Sequence, residues 1–97
     1  MPTYIGLYKL TDQGVKTIKE APGRLEAGIK GAEKMGGKVT GFYAVMGEYD
    51  YVGIGEFPSD EVATTYALAI SSLGNVRTTT LRAYPKEEFA AMVKKLP

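Results

Sequence analysis

Gly47-Glu48-Tyr49-Asp50-Tyr51 brings two carboxylates and two phenols into five consecutive residues. Two kinds of chemistry suit such a cluster. A carboxylate pair can serve as general acid and base, provided an apolar pocket raises one of the two pKa values. No such pocket is evident around Glu48 and Asp50, so a glycosidase-like pair is set aside. Alternatively, the cluster forms the polar rim of a binding cavity, with Tyr8, Tyr49 and Tyr51 as contact groups, Asp50 beside them and Arg77 as an anion partner. The same residues also read as a plain hairpin turn, in which Asp50 bonds nearby backbone N–H groups or pairs with Lys9.

The absences narrow the chemistry further. The chain has no His and no Cys. That excludes disulfides, thiolate nucleophiles, His-dependent triads, Cys/His zinc sites and ordinary haem ligation. No cofactor and no metal are expected. A base would have to be Glu48, Asp50 or Glu56, or a Tyr activated by Lys9 or Arg77. Net charge is +1, which recruits neither nucleic acid nor an anionic membrane. Thr78-Thr79-Thr80 flanked by Arg77 and Arg82 reads as a β-branched strand and not as a nucleic-acid surface. Gly14 and Gly36-Gly37 lack the Lys-Ser/Thr that a phosphate loop requires. The apolar runs are too short to span a bilayer, and the N-terminus carries no signal core, so a cytoplasmic location is expected.

With 97 residues, the chain is read as one domain over 1–97. Alternation predicts a strand over Pro2 to Leu10. Thr11-Asp12-Gln13-Gly14 then breaks the pattern and offers a helix N-cap. Val15, Ile18, Pro22, Leu25, Ile29 and Ala32 recur at helical spacing, with a break near Ala21–Gly23 because Pro22 cannot sit inside an unbroken helix. Gly36-Gly37 stops that helix. Strands are predicted over Lys38 to Met46 and Tyr49 to Phe57, joined by Gly47-Glu48 as a two-residue turn. Ser59 caps a second helix with a stripe of Val62, Tyr66, Ala69 and Leu73. A fourth strand runs from Val76 to Tyr84. A terminal helix from Pro85 to Leu96 turns Phe89, Met92 or Val93, and Leu96 inward. The order β-α-β-β-α-β-α specifies an α+β, ferredoxin-like antiparallel sheet of order 4-1-3-2 with an added C-terminal helix.

The two central strands present unlike faces. Ile5, Leu7, Val52 and Ile54 form an aliphatic one, which is expected under the helices. Tyr4, Gly6, Tyr8, Tyr51, Gly53, Gly55 and Phe57 form an aromatic one with glycine gaps, expected to be left in water. An uncovered apolar face marks an interaction site. A second copy in a homodimer or higher homo-oligomer could cover it, as could a small metabolite, or both around a central cavity. The terminal helix could also simply close it.

Met46-Gly47-Glu48-Tyr49-Asp50 resembles the Gly-x-Tyr-Asp signature of the GYD-domain family. Pro2-Thr3-Tyr4-Ile5, Thr11-Asp12-Gln13-Gly14, Gly36 to Tyr43 and Ser72 to Thr78 resemble it too, in the same order, over about residues 2–90. The resemblance implies a dimeric α+β barrel type of fold and brings no established reaction. A fainter likeness is to the effector-binding domain of leucine-responsive transcription regulators, where a similar hairpin lies near an inter-subunit small-molecule site. No DNA-binding helix-turn-helix is present, so only the ligand-sensing half could carry over. Two functions follow as expectations, beside a purely structural role as a partner domain without ligand. One is a small-molecule-binding module with its site at the Tyr/Gly face. The other is a cofactor-independent small-barrel enzyme of oxygenase or isomerase type.

Overall fold

Strict alternation over Thr3–Leu10 produces the first strand, β1, and Thr11 ends it by turning its side chain to the following residues. The computed structural model describes residues 1–97. The Thr11 hydroxyl accepts from the Gly14 N–H at 3.1 Å and donates to the Gly74 carbonyl at 2.6 Å. It thereby caps helix α1 (Asp12–Lys16) and ties it to the far side of the fold. A single 3-10 turn (Ile18–Glu20) leads into α2 (Ala21–Lys34). The helix break therefore falls before Ala21, earlier than expected. Pro22 lies in the first turn of α2, where its missing N–H has no partner to lose. Because the break precedes α2, Val15 and Ile18 leave the inward stripe and are largely exposed. Gly36, at φ +81°, ends the helix as read.

Strands β2 (Lys38–Ala44) and β3 (Tyr51–Glu56) are shorter than expected, and six residues separate them. Asp50 explains the difference. Its N–H donates to the Tyr8 carbonyl at 2.8 Å, and its carboxylate accepts from the Leu10 N–H at 2.8 Å. Asp50 is thus tied to β1, while its carbonyl accepts from the Val45 N–H at 2.9 Å, and the regular ladder between β2 and β3 begins at Ala44 and Tyr51. Ser59 caps α3 (Asp60–Ser72) by accepting from the Val62 N–H. Strand β4 (Val76–Ala83) and helix α4 (Lys86–Lys94) complete the chain. The antiparallel sheet runs β2-β3-β1-β4, with β3 and β1 central, as the strand pattern specified.

The two sheet faces are exchanged relative to expectation. The helices cover the Tyr/Gly face, and the aliphatic face is open. Tyr4, Gly6, Gly55 and Phe57 are buried, together with Ala32 of α2 and Ala63 of α3. Size complementarity explains the choice. The helices turn small residues (Gly28, Ala32, Ala63 and Ala67) toward the sheet, and the sheet answers with rings. Phe57 stacks with Tyr66 at 5.1 Å between centroids and meets Tyr4 edge-on at 6.0 Å. Val62 and Tyr66 face the core as expected, with Ala63, Ala67 and Ile70 beside them, while Ala69 is exposed and Leu73, just past the helix, is largely exposed although it touches the cavity between the sheet and the helices. Helix α4 also departs from expectation. Its apolar residues Phe89, Met92 and Val93, and Leu96 just beyond it, lie in solvent and cover neither face.

Candidate functional site

A cavity of about 320 Å³ lies between the Tyr/Gly face and the two covering helices. Its floor is Tyr8, Gly6, Gly53, Phe42 and Tyr51, and its roof is Leu25, Gly28, Ile29, Tyr66, Ala67 and Ile70. The glycines make the room. A Cβ on Gly6 would come within 2.7 Å of the Tyr8 hydroxyl, so the Tyr8 ring can fold back over β1 only because position 6 has no side chain. Phe42 and Tyr51 pack tilted at 5.3 Å on the same floor.

The polar content of the cavity is sparse. Tyr66 donates its hydroxyl proton to the Gly28 carbonyl at 2.9 Å, which holds α3 against α2. Burial, and secondarily the neighbouring Tyr8, pushes the Tyr66 pKa up to about 12. Burial alone raises that of Tyr8. Tyr4 is raised by burial first and then by Asp60, whose carboxylate accepts its hydroxyl proton at 2.5 Å. All three shifts have one sign. A phenol with a raised folded-state pKa adds stability that is complete below the ordinary value of 10.0 and is lost as pH rises through the raised value, which for Tyr66 is about 12. Unfolding is therefore expected to set in within that window. An ultraviolet titration should show at least three of the seven tyrosines ionising late, together with loss of the circular dichroism signal. Ionisation of every tyrosine near 10 in a folded protein would contradict the packing described.

The expected site residues separate into two groups. Tyr8 and Tyr51 line the cavity. Tyr49, Asp50 and Arg77 do not. Tyr49 lies under the Lys9 ammonium at 5.4 Å, and Lys9 pairs with Glu48 at 3.3 Å in the open. Arg77 is exposed on β4 opposite Lys9. Asp50 serves the backbone. Asp50→Ala removes the acceptor of the Leu10 N–H and should cost about 1–3 kcal/mol, read as a lower urea midpoint at constant slope.

Arg24, Phe42 and Tyr66 line the cavity and were not singled out from sequence as site residues. A signal for them exists. Arg24 and Gly28 stand four apart on α2, so they share the helix face that Gly28 opens toward the sheet. Arg24 is the one charged residue in the lining. Its guanidinium donates to the Thr17 hydroxyl at 2.9 Å and, at 3.5 Å, to the Gly14 carbonyl. No cluster of acidic side chains able to hold a metal ion is present. No helix is long and apolar enough to cross a membrane.

A four-stranded antiparallel sheet with helices on one face and a cavity beneath them defines a ferredoxin-like α+β protein of the kind found in the leucine-responsive regulators. The leucine response regulatory protein of Mycobacterium tuberculosis superposes with a TM-score of 0.65 at 22% identity, over 88% of this chain and 51% of that one. The chain thus spans about half the length of that regulator. The chain belongs to the GYD domain family, whose model matches residues 4–93. It is 36% identical over 95 residues to a Thermus thermophilus protein named glutamine synthetase and cystathionine beta-lyase binding protein, covering 97% of this chain and 100% of that one. A solved protein of Thermus thermophilus superposes with a TM-score of 0.55 at 27% identity, over 89% of this chain and 100% of that one.

Proposed function

We propose that this chain is a self-associating binding module, not an enzyme, which takes a small apolar molecule in the cavity on its Tyr/Gly face. The cavity carries the reading. Its volume is at the lower end of small-molecule sites, its lining is mostly apolar and aromatic, and its few polar groups converge from several elements. Tyr8 and Tyr51 are the contacts shared with the sequence reading. The enzyme alternative needs a base in the cavity. Glu48, Asp50 and Glu56 are all absent from the lining, and burial moves Tyr8 away from the low pKa a base requires.

Self-association rests on area. A folded 10.5 kDa chain exposes about 5,400 Å² by the usual scaling, whereas this one exposes 6742 Å². On the sheet face that no helix covers, Tyr43 and Leu81 are exposed and Ile5, Leu7 and Val52 partly so, and α4 exposes Phe89, Met92 and Val93. A second copy pairing sheet to sheet would remove surface of the size a stable interface needs. The relative's name adds protein partners, and binding of an amino-acid-metabolic enzyme fits a module that lacks its own catalytic groups.

Native mass spectrometry of freshly purified protein, followed by denaturing release, tests both parts. The expected result is a dimer or larger assembly that retains a small molecule. A bare monomer at micromolar concentration overturns the assembly, and a cavity that retains no compound and binds none on screening overturns the ligand site.

A further inference from the structure

The lining of the cavity restricts what it can take. It contains no carboxylate and a single cation, Arg24. Arg24 forms neither of the two ion pairs in the protein, Lys9–Glu48 and Arg82–Asp60. Two hydrogen bonds, to Thr17 and Gly14, hold its side chain in place, and a guanidinium carries five N–H donors. Donors therefore remain, on a half-buried side chain whose position is already set.

The position is also informative. The Gly14 that accepts from Arg24 is wedged against β4 and β1. A Cβ there would lie 2.1 Å from the Asn75 carbonyl oxygen and 3.0 Å from the Leu10 side chain. Leu10 and Asn75 both line the cavity, so the guanidinium stands at that end of it. The remainder is mostly aromatic and aliphatic, with Thr80 and the Tyr8 hydroxyl among its few polar groups. A dication would meet a like charge, and a polyanion would leave charges buried without partners.

We propose that the cavity selects an apolar monocarboxylate, its hydrocarbon body between the Tyr/Gly sheet face and α2 and α3, and its carboxylate on Arg24. This rests on the reading of the cavity as a ligand site and adds the chemical class of the ligand. A guanidinium–carboxylate contact is bidentate and charge-assisted, which orients the acid and discriminates against neutral analogues of the same shape.

Isothermal titration of the full chain with 4-phenylbutyrate and with 4-phenylbutan-1-ol tests it. The two probes share a body and differ in the head group. The acid is expected to bind about 10- to 100-fold more tightly than the alcohol. Arg24→Met should erase that preference and leave the alcohol affinity unchanged, whereas Arg24→Lys should keep part of it. A residue that only ties α2 to α1 would move stability without moving the ratio. If Arg24→Met fails to fold by circular dichroism, the ratio in the parent chain and in Arg24→Lys still decides. Equal affinities for acid and alcohol, or a preference that survives Arg24→Met, overturn the carboxylate assignment and leave the cavity reading standing. Failure of both probes to bind at millimolar concentration overturns both. Ala67→Phe, which fills the roof, should abolish binding of both probes; undiminished binding in that variant places the site elsewhere and overturns the proposal.

Discussion

Val52→Asp should leave the protein folded and turn the proposed dimer into a monomer. Val52 lies on a central strand, opposite Leu7 on β1 and Tyr43 on β2, in the middle of the aliphatic face that no helix covers. In an isolated copy the new carboxylate would meet water, and β-sheet pairing through the backbone is untouched. In a sheet-to-sheet dimer it would be buried near its symmetry mate, and the cations of that face, Lys9 and Arg77 at one end and Lys38 beside Glu56 at the other, lie toward its ends. Burying an uncompensated charge costs several kcal/mol, so the dimer should weaken by at least about a hundredfold. Light scattering on the eluted peak measures the mass directly. A dimeric Val52→Asp protein would show that the open face is not the interface. An unfolded one would show that this face is needed within the monomer.

Phe57→Ala should give the largest loss of stability of any single truncation. Phe57 is 6% exposed and, with Tyr4, is one of the two large side chains in the buried cluster. Its ring spans the contact between Tyr4 and Tyr66, and it occupies the space that a Cβ at Gly37 would need, 2.6 Å away. Removing a buried Phe costs about 3–5 kcal/mol, because the lost transfer energy is joined by the cavity left behind. The total for a chain of this length is on the order of 5–15 kcal/mol. The melting temperature should therefore fall by more than about 10 °C, as 1 kcal/mol shifts a domain of this size by roughly 4–8 °C. Calorimetry checks it. A fall of only a few degrees would mean that the helices repack on the sheet and that the ring cluster is not the core.

The strand and helix order was legible because each element carries its own local signal. Tyr4 to Tyr8 alternates, Leu25, Ile29 and Ala32 recur at helical spacing, and Thr11, Ser59 and Gly36 cap or stop helices by chemistry confined to a few residues. Sheet order followed, since right-handed crossovers leave little choice. The hairpin was less legible. Gly47-Glu48 has the composition of a two-residue turn, yet Asp50 finds a better use for its carboxylate on the Leu10 N–H, 40 residues away in sequence, and the loop widens. The terminal helix was misplaced for a related reason. Phe89, Met92 and Leu96 do form a stripe, but a stripe states only that something covers it and not that this chain does.

The candidate site divides along the same line. Residue type and period established that the central strands have one aliphatic face and one face of rings and glycines, and that no His or Cys contributes. Which face lies beneath the helices depends on how side-chain volumes from distant segments interlock, and period-2 alternation is silent on that. Gly28 and Ala32 on α2 and Ala63 and Ala67 on α3 leave space that only large rings fill, so the helices settled on Tyr4, Phe57 and Tyr8 and left Ile5, Leu7 and Val52 open. The same interlocking brought Arg24 to the cavity, because its neighbours there, Leu10, Gly14 and Asn75, come together only when β1, α1 and the start of β4 are packed.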